Sequence, residues 1–270
     1  MTVWLEQYKP ERFDELLTTP QVADALKHLA LQANPPHLLL SGPTGCGKTA
    51  ALQLVCRQVL GPAWRATTHV LQARDLDKTA GAMARFEAFL RPEGVGSEDT
   101  LAGRTSLDAF DHNISASADR SPPPAGEESP APSSGTFAAV SRIIVLEDAD
   151  YLGHARQSYL RRMMEDSSRS ARFIFTTHTP SRIIEALRSR TQHVRMPSLT
   201  RLMIEQRLEN IAAAEDLQPV QGVLGDIAHV ASGNLRKAIF TFQILARRGL
   251  LDDRKNIQLL MANSSRREVQ

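Results

Sequence analysis

The chain has 270 residues, 42% of them hydrophobic and 23% charged, a length that suggests two domains at about 150 residues each. Thirty-two Lys and Arg against 30 Asp and Glu leave a net charge of +2, which excludes a uniformly basic or acidic surface but not a local basic face. Cys46 and Cys56 are the two cysteines, too few for a disulfide framework or a multi-cysteine zinc site.

In chain order, Thr19 and Pro20 form an N-cap and first helical position, and Val22, Leu26 and Leu29 make a helical stripe behind them. His37–Ser41 is a short apolar run ending in a glycine turn, the pattern of a buried parallel strand. Residues 48–60 read as a helix through Leu52, Val55 and Leu60, and Thr68–Leu71 as a strand. Residues 94–136 differ in kind. They hold three consecutive prolines, many serines and seven acids against two bases, and are expected to be a disordered insertion. Beyond them, Ile143–Leu146 reads as a strand, 155–166 as a helix, Phe173–Thr177 as a strand and Val194–Met196 as a short strand. This alternation predicts an α/β fold with a doubly wound parallel sheet. After about Ser198 the strand signal ends. Leu202, Ile204, Leu208 and Ile211, then Val223, Ile227 and Val230, then Ile239, Phe242 and Leu245 predict three helices. The expected domains are a core over 1–198, a small all-helical domain over 199–253 and a tail over 254–270. The N-terminus lacks the apolar core of a signal peptide, and no run approaches the ~20 apolar residues of a membrane span, so no membrane partner is expected.

Gly42, Pro43, Thr44, Gly45, Cys46, Gly47, Lys48 and Thr49 match G-x-x-x-x-G-K-[ST] at every position, after a predicted strand and before a predicted helix. Glycines there let backbone N–H groups curl around phosphate oxygens, and the helix N-terminus adds positive potential. Lys48 is placed to reach the β- and γ-phosphates of ATP, and the Thr49 hydroxyl to ligate Mg²⁺. Cys46 reads as a neutral loop filler. The strand 143–146 ends in Glu147 and Asp148, which supply carboxylates for the metal and for the attacking water. ATPases of this class normally carry aspartate first, for the metal, and glutamate second. Here the order is reversed. Glu147 becomes the metal residue with Asp148 as the alternative, and Asp148 the water-polarising one. Each carboxylate is displaced by about one methylene, and ~1 Å errors can cost about 100-fold in rate, so the expectation is either slow hydrolysis or a pair that has shifted.

Five ordered motifs carry a resemblance. Trp4–Leu16 (WLEQYKPERFDEL) is similar to an opening W-x-E-K-Y-R-P motif, and Pro36–Leu40 leads into the phosphate loop. Tyr159–Glu165 (YLRRMME) resembles A-L-R-R-x-M-E, Ile183–Thr191 (IIEALRSRT) resembles I-I-x-x-x-x-S-R-C, and Gly233–Ala238 (GNLRKA) resembles G-D-M-R-R-A. Together they resemble small subunits of the archaeal and eukaryotic sliding-clamp loader, replication factor C, within the AAA+ ATPases. The match runs from Trp4 to about Leu250, interrupted by the insertion. What the resemblance implies is an AAA+ core followed by a helical lid, with ATP and Mg²⁺ as cofactors and hydrolysis stimulated by DNA. Tyr8 and Pro10 would lie near adenine. Arg190, expected at a strand end, would be an arginine finger in a neighbouring subunit's site, with Arg162 or Arg161 also pointing across that interface. Arg236 would contact the γ-phosphate from the lid. His178 stands where the family has a polar asparagine sensor, Thr177 being the alternative for that work.

The implied function is loading the polymerase processivity clamp onto primer–template DNA in replication. Its partners would be large and small loader subunits, the sliding clamp, and DNA held mainly through phosphates. A second reading is a largely non-hydrolysing subunit that donates Arg190 in trans. A third is another AAA+ helicase loader or branch-migration motor. The family's further helical collar finds no room after Leu251, so a divergent member without a collar is expected. The setting implied is an archaeal-type cytoplasm, or a nucleus if eukaryotic. Setting aside the insertion's charge of −5, the remaining 227 residues carry +7, a modestly basic balance suited to DNA.

Overall fold

The computed structural model describes residues 3–76, 81–90, 140–166 and 171–252. The acidic stretch predicted over 94–136 and the tail 254–270 lie outside the described residues. In chain order the helices are α1 (Trp4–Gln7), α2 (Pro20–Leu31), α3 (Lys48–Leu60), α4 (Trp64–Thr67), α5 (Ala73–Leu76), α6 (Ala82–Leu90), α7 (His154–Asp166), α8 (Glu185–Arg188), α9 (Arg201–Ala214), α10 (Val223–Ala231) and α11 (Leu235–Arg247). The strands are β1 (Leu38–Ser41), β2 (Thr68–Gln72), β3 (Arg142–Glu147), β4 (Ala171–Thr177) and β5 (Gln192–Arg195).

The chain forms two compact units. One comprises Glu11–Gly42 and Lys48–Met196, the other Met1–Pro10, Pro43–Gly47 and Pro197–Gln270. In the larger unit the five strands form a parallel sheet in the order β2-β3-β4-β1-β5. β1 and β4 are buried along their whole length, as strands covered on both faces must be, and their apolar runs were legible for that reason. β5 lies at the sheet edge and buries Val194 alone. Its polar Gln192, His193 and Arg195 mask the strand signal, so it starts two residues and ends one residue earlier than the apolar pattern 194–196 suggests. Leu39, Ile144, Leu146, Phe173 and Phe175 build the core beneath the sheet with Phe86 of α6. Phe173 and Phe175 stack with centroids 6.3 Å apart.

α2 begins at Pro20 as the sequence implies, with a difference at its cap. The Thr19 side chain makes no cap bond, and the Thr19 carbonyl instead accepts from the Val22 and Ala23 N–H groups. In the smaller unit α9, α10 and α11 are the three expected helices, and Ile204, Leu208, Ile211, Ile227 and Phe242 are buried. Leu202, one of the predicted stripe residues, is 71% exposed. It follows the cap residue Thr200 by two positions, on the opposite side from the core stripe that starts at Ile204.

His37 joins β1 to β4. Its Nδ1 accepts from the Phe173 N–H at 3.0 Å and its ring meets the Phe173 ring edge-on at 5.5 Å. Burial pushes its pKa down to about 4, and the nearby Arg172 guanidinium adds to the effect. The unfolded imidazole titrates near 6.5, so between the two values protons favour the unfolded chain. The stability His37 contributes is therefore intact above about pH 6.5 and lost as pH falls towards 4, by up to ~3 kcal/mol. His193, lowered by burial and then by Arg188 and Arg195, adds to the same slope. We expect the urea midpoint to fall across this window, and to fall less in His37→Asn, which keeps the acceptor and does not titrate.

Candidate nucleotide site

β1 leads into the phosphate loop and α3 leaves it. Gly45 and Gly47 have φ of 75° and 98°, left-handed values that L side chains rarely adopt. These turns bring the chain round to Lys48, the first residue of α3. Pro43 and Thr44 are exposed and Cys46 is buried, as a small apolar loop filler would be. In the larger unit, Lys48 Nζ donates to the Gly42 carbonyl at 2.8 Å and lies 3.5 Å from Nδ1 of His178. The Thr49 hydroxyl is 3.5 Å from Glu147 Oε1.

The strand order explains this convergence. Parallel strands place all their C-terminal ends on one edge, so Gly42, Asp148 and His178 emerge side by side after β1, β3 and β4. The registers Ser41–Thr177 and Leu146–Phe175 align those ends, and the Gly42 N–H donates to the Thr177 carbonyl at 3.2 Å. Asp148 sits in the left-handed region, with φ of 52° and ψ of 46°, and its N–H donates to Thr176 Oγ1 at 3.1 Å. One carboxylate oxygen, Oδ1, faces His178 Nε2 at 3.2 Å. The other, Oδ2, accepts from Gln72 Nε2 at 3.1 Å and pairs with Arg74 Nε at 3.1 Å. The Arg74 guanidinium also stacks on the Tyr151 ring, 4.3 Å from its centroid.

Of the two candidates at the end of β4, His178 reaches Lys48. The Thr177 hydroxyl is fully buried and donates to Asp150 Oδ1 at 3.0 Å. Asp150 also accepts from the His178 N–H at 3.4 Å, so this acid braces the turn rather than facing the phosphate loop. Sequence reasoning passed over Gln72, Arg74 and Asp150. Gln72 pairs in register with Glu147, a neighbour that only the strand order reveals.

Arg190 stands apart from this group and at a different place from that expected. It follows the short helix α8 and precedes β5, rather than ending a strand. Helical turns hold it there. Its Nη1 donates to the Ala186 carbonyl at 2.9 Å, and its Nη2 to Glu165 Oε1 at 2.8 Å. The loop before α8 is fixed by buried Gln157, whose amide donates to the Leu152 and Arg182 carbonyls and accepts from the Ile184 N–H. Arg161 lies 3.9 Å from the same Glu165, and Arg162 is exposed beside it.

In the smaller unit, Gly45 is tied to the N-terminus of α11. The Leu235 N–H donates to the Gly45 carbonyl at 3.1 Å, and the Asn234 side chain caps the helix by accepting from the Lys237 N–H at 3.0 Å. Arg236 is the next residue and is exposed. The N-terminal segment lies in this unit too. Trp4 packs on Phe242 with centroids 5.1 Å apart, and the Tyr8 hydroxyl donates to Glu215 Oε1 at 2.5 Å. Burial, and then the Glu215 carboxylate, push the Tyr8 pKa up to about 12. Arg207 donates to the Tyr8 carbonyl at 2.5 Å, and Pro10 is half-buried.

The oxygen donors Thr49 and Glu147 suit Mg²⁺, which takes one or two protein oxygens and completes its shell with phosphates and water. Among the described residues no group of three His, Cys, Asp or Glu could hold a metal by side chains alone. No helix among them is long and apolar enough to cross a membrane.

A strand-loop-helix phosphate site on a 2-3-4-1-5 parallel sheet, with acids ending the third strand, is the arrangement of a P-loop nucleotide-binding protein. Residues 38–199, more than half of the chain, match the model of the ATPase family associated with various cellular activities (AAA), and the chain belongs to that family. Within it the chain is similar to the replication factor C small subunit of Methanoculleus marisnigri, 31% identical over 242 residues that cover 90% of this chain and 62% of the relative. It is also similar to the replication factor C small subunit of Natronomonas pharaonis, 27% identical over 99% of this chain and 69% of the relative, and to replication factor C subunit 2 of Phaeosphaeria nodorum, 30% identical over 90% and 56%. The chain thus spans about three-fifths of the length of such relatives. Among solved structures, the Thermotoga maritima RuvB Holliday junction branch migration motor superposes with a TM-score of 0.63 at 17% identity, covering 95% of this chain and 72% of that one. That likeness shows the fold.

The contact between Gly45 and α11 is testable. A Cβ at Gly45 would overlap the Asn234 side-chain amide, in a backbone conformation already costly for L residues. Gly45→Ala is expected to destabilise the chain by about 1–2 kcal/mol in urea unfolding, and Asn234→Gly to cost less in its presence than alone.

Proposed function

We propose that this chain binds ATP with Mg²⁺ and acts as a small subunit of a sliding-clamp loader, placing a polymerase processivity clamp on primer–template DNA. The observation that carries the ATPase part is the convergence of Lys48, Thr49, Glu147, Asp148 and His178 on one edge of the sheet. The similarity to replication factor C small subunits supports the clamp-loading part.

In this reading Lys48 binds the β- and γ-phosphates while the N–H groups of Gly45–Lys48 and the α3 N-terminus surround them. Thr49 and Glu147 hold Mg²⁺, with Asp148 the alternative ligand. A Mg²⁺ held there would supply charge neutralisation for the phosphates. Asp148 orients the attacking water, and His178 faces the γ-phosphate beside Lys48. In the smaller unit, Tyr8 and Pro10 are the residues assigned by this reading to adenine and Arg236 the one assigned to the γ-phosphate. Arg190 acts in a neighbouring subunit's site, countering charge that builds on its γ-phosphate. Exposed Arg162, or its neighbour Arg161, points across the same interface. The large and small loader subunits, the clamp and DNA phosphates are the partners of this reading, and DNA stimulates hydrolysis.

Reconstitution with a large loader subunit, a second small subunit and a trimeric clamp tests it. Lys48→Ala is expected to lose equilibrium ATP binding. Arg190→Ala is expected to keep binding ATP but to slow cleavage at the adjacent subunit by about 10³-fold. Failure to associate with both the clamp and the large subunit would contradict clamp loading and favour another AAA+ motor. An Arg190 effect without cleavage at the chain's own site would instead mark a subunit that donates its arginine and does not hydrolyse.

A further inference from the structure

Helix α11 buries one side and leaves the other to solvent. Ala238, Ile239, Phe242 and Leu245 pack inward. Lys237, Phe240, Ile244 and the C-terminal cap residue Arg248, spaced by three, four and four positions, line up along the outer side. Phe240 is 54% exposed there, Lys237 and Arg248 are exposed, and Ile244 is half-buried. The two cations lie about 16 Å apart along the helix axis, with the two apolar side chains between them.

Helix stability accounts for one of these cations and not for the other. Arg248, at the C-terminal cap, meets the negative end of the helix dipole. Lys237 sits in the first turn, at the positive end, where an acid is the favourable residue and the helix has none. No Asp or Glu occurs from Leu235 to Leu251, so no side chain three or four positions along α11 neutralises either charge. The outer face thus carries a positive charge at each end and an exposed aromatic ring between, and nothing in the helix requires that arrangement.

Charge decides what fits this face. A second copy of α11 would set like charges against each other in either orientation, Lys237 against Arg248 when antiparallel and each against itself when parallel. A nucleic-acid strand carries a phosphate about every 3.4 Å of duplex, so about four would lie over Phe240 and Ile244 with no cation opposite. An amphipathic helix of three turns matches instead, with carboxylates at its two ends and apolar side chains in the middle. We propose that the outer face of α11 docks an acidic amphipathic helix of a protein partner, which covers Phe240 and Ile244 and pairs its carboxylates with Lys237 and Arg248. This surface includes none of the residues assigned to ATP, and it stands whether or not the chain hydrolyses nucleotide.

The test uses the full chain and a labelled three-turn helical peptide with glutamates at both ends and leucines between, followed by fluorescence anisotropy. The peptide is expected to bind, Phe240→Asn to weaken it by about 10-fold or more, and added salt to weaken it further. Lys237→Glu is expected to weaken it as well. One of two peptides carrying lysines at a single end should then recover binding to that variant and not to the parent, a recovery that a misfolded chain would not show. Absence of binding, or binding unchanged by Phe240→Asn, overturns the proposal. Oligothymidylate that binds in place of the peptide and is lost in the same variants overturns it in favour of a nucleic acid. Self-association in sedimentation that Phe240→Asn abolishes overturns it in favour of a second copy.

Discussion

Parallel pairing of β4 with β1 on one side and β3 on the other sets every distance at the nucleotide site. Because β4 lies between them, the phosphate loop and the acidic strand end are two strands apart, and whatever follows β4 stands in the gap. The registers Ser41–Thr177 and Leu146–Phe175 bring the three ends level, and full burial of β1 and β4 leaves little room for them to slip. Lys48, Asp148 and His178 inherit their spacing from that pairing. Local sequence supplies the side chains, and the ladder supplies the geometry.

Buried polar groups keep the strand ends rigid. Asp150 is held by the Thr177 hydroxyl and the His178 N–H, and Gln157 satisfies its whole amide on the loop leading to Arg190. Each bond saves the desolvation cost of an orphaned polar atom, on the order of 1–3 kcal/mol, so these loops lose more by moving than by staying. In the smaller unit the same economy appears at Asn234, which caps α11 while packing beneath the turn at Gly45. A site assembled from loops therefore behaves as part of the framework.

Much of this was legible in the residues. The phosphate loop was read position by position because its glycines, lysine and threonine each answer a separate chemical need. β1, β3 and β4 were visible because strands buried on both faces are apolar throughout. β5 starts two residues before its apolar pattern and ends one residue before it, because an exposed edge strand carries a mixed pattern, and Leu202 faces outward because a stripe's first residue need not face inward. Gln72, Arg74 and Asp150 went unread for a different reason. Strand order is a non-local property, and without it nothing ties Gln72 to an acid 76 positions further along. Arg190 stands out by its local motif, whereas its partner Glu165 emerges only from the packing of α7 against α8.

The two acids that end β3 carry separate tasks in the proposed site. If Glu147 holds the metal and Asp148 orients the water, as proposed, the two fail differently. Single-turnover cleavage and Mg²⁺-dependent ATP binding, measured for Glu147→Gln and Asp148→Asn in the assembled complex, separate them. The expected result is that Asp148→Asn binds Mg²⁺-ATP normally and cleaves it at least about 100-fold more slowly, while Glu147→Gln needs more Mg²⁺ to bind. Normal cleavage by Asp148→Asn would contradict the assignment of the water-orienting role.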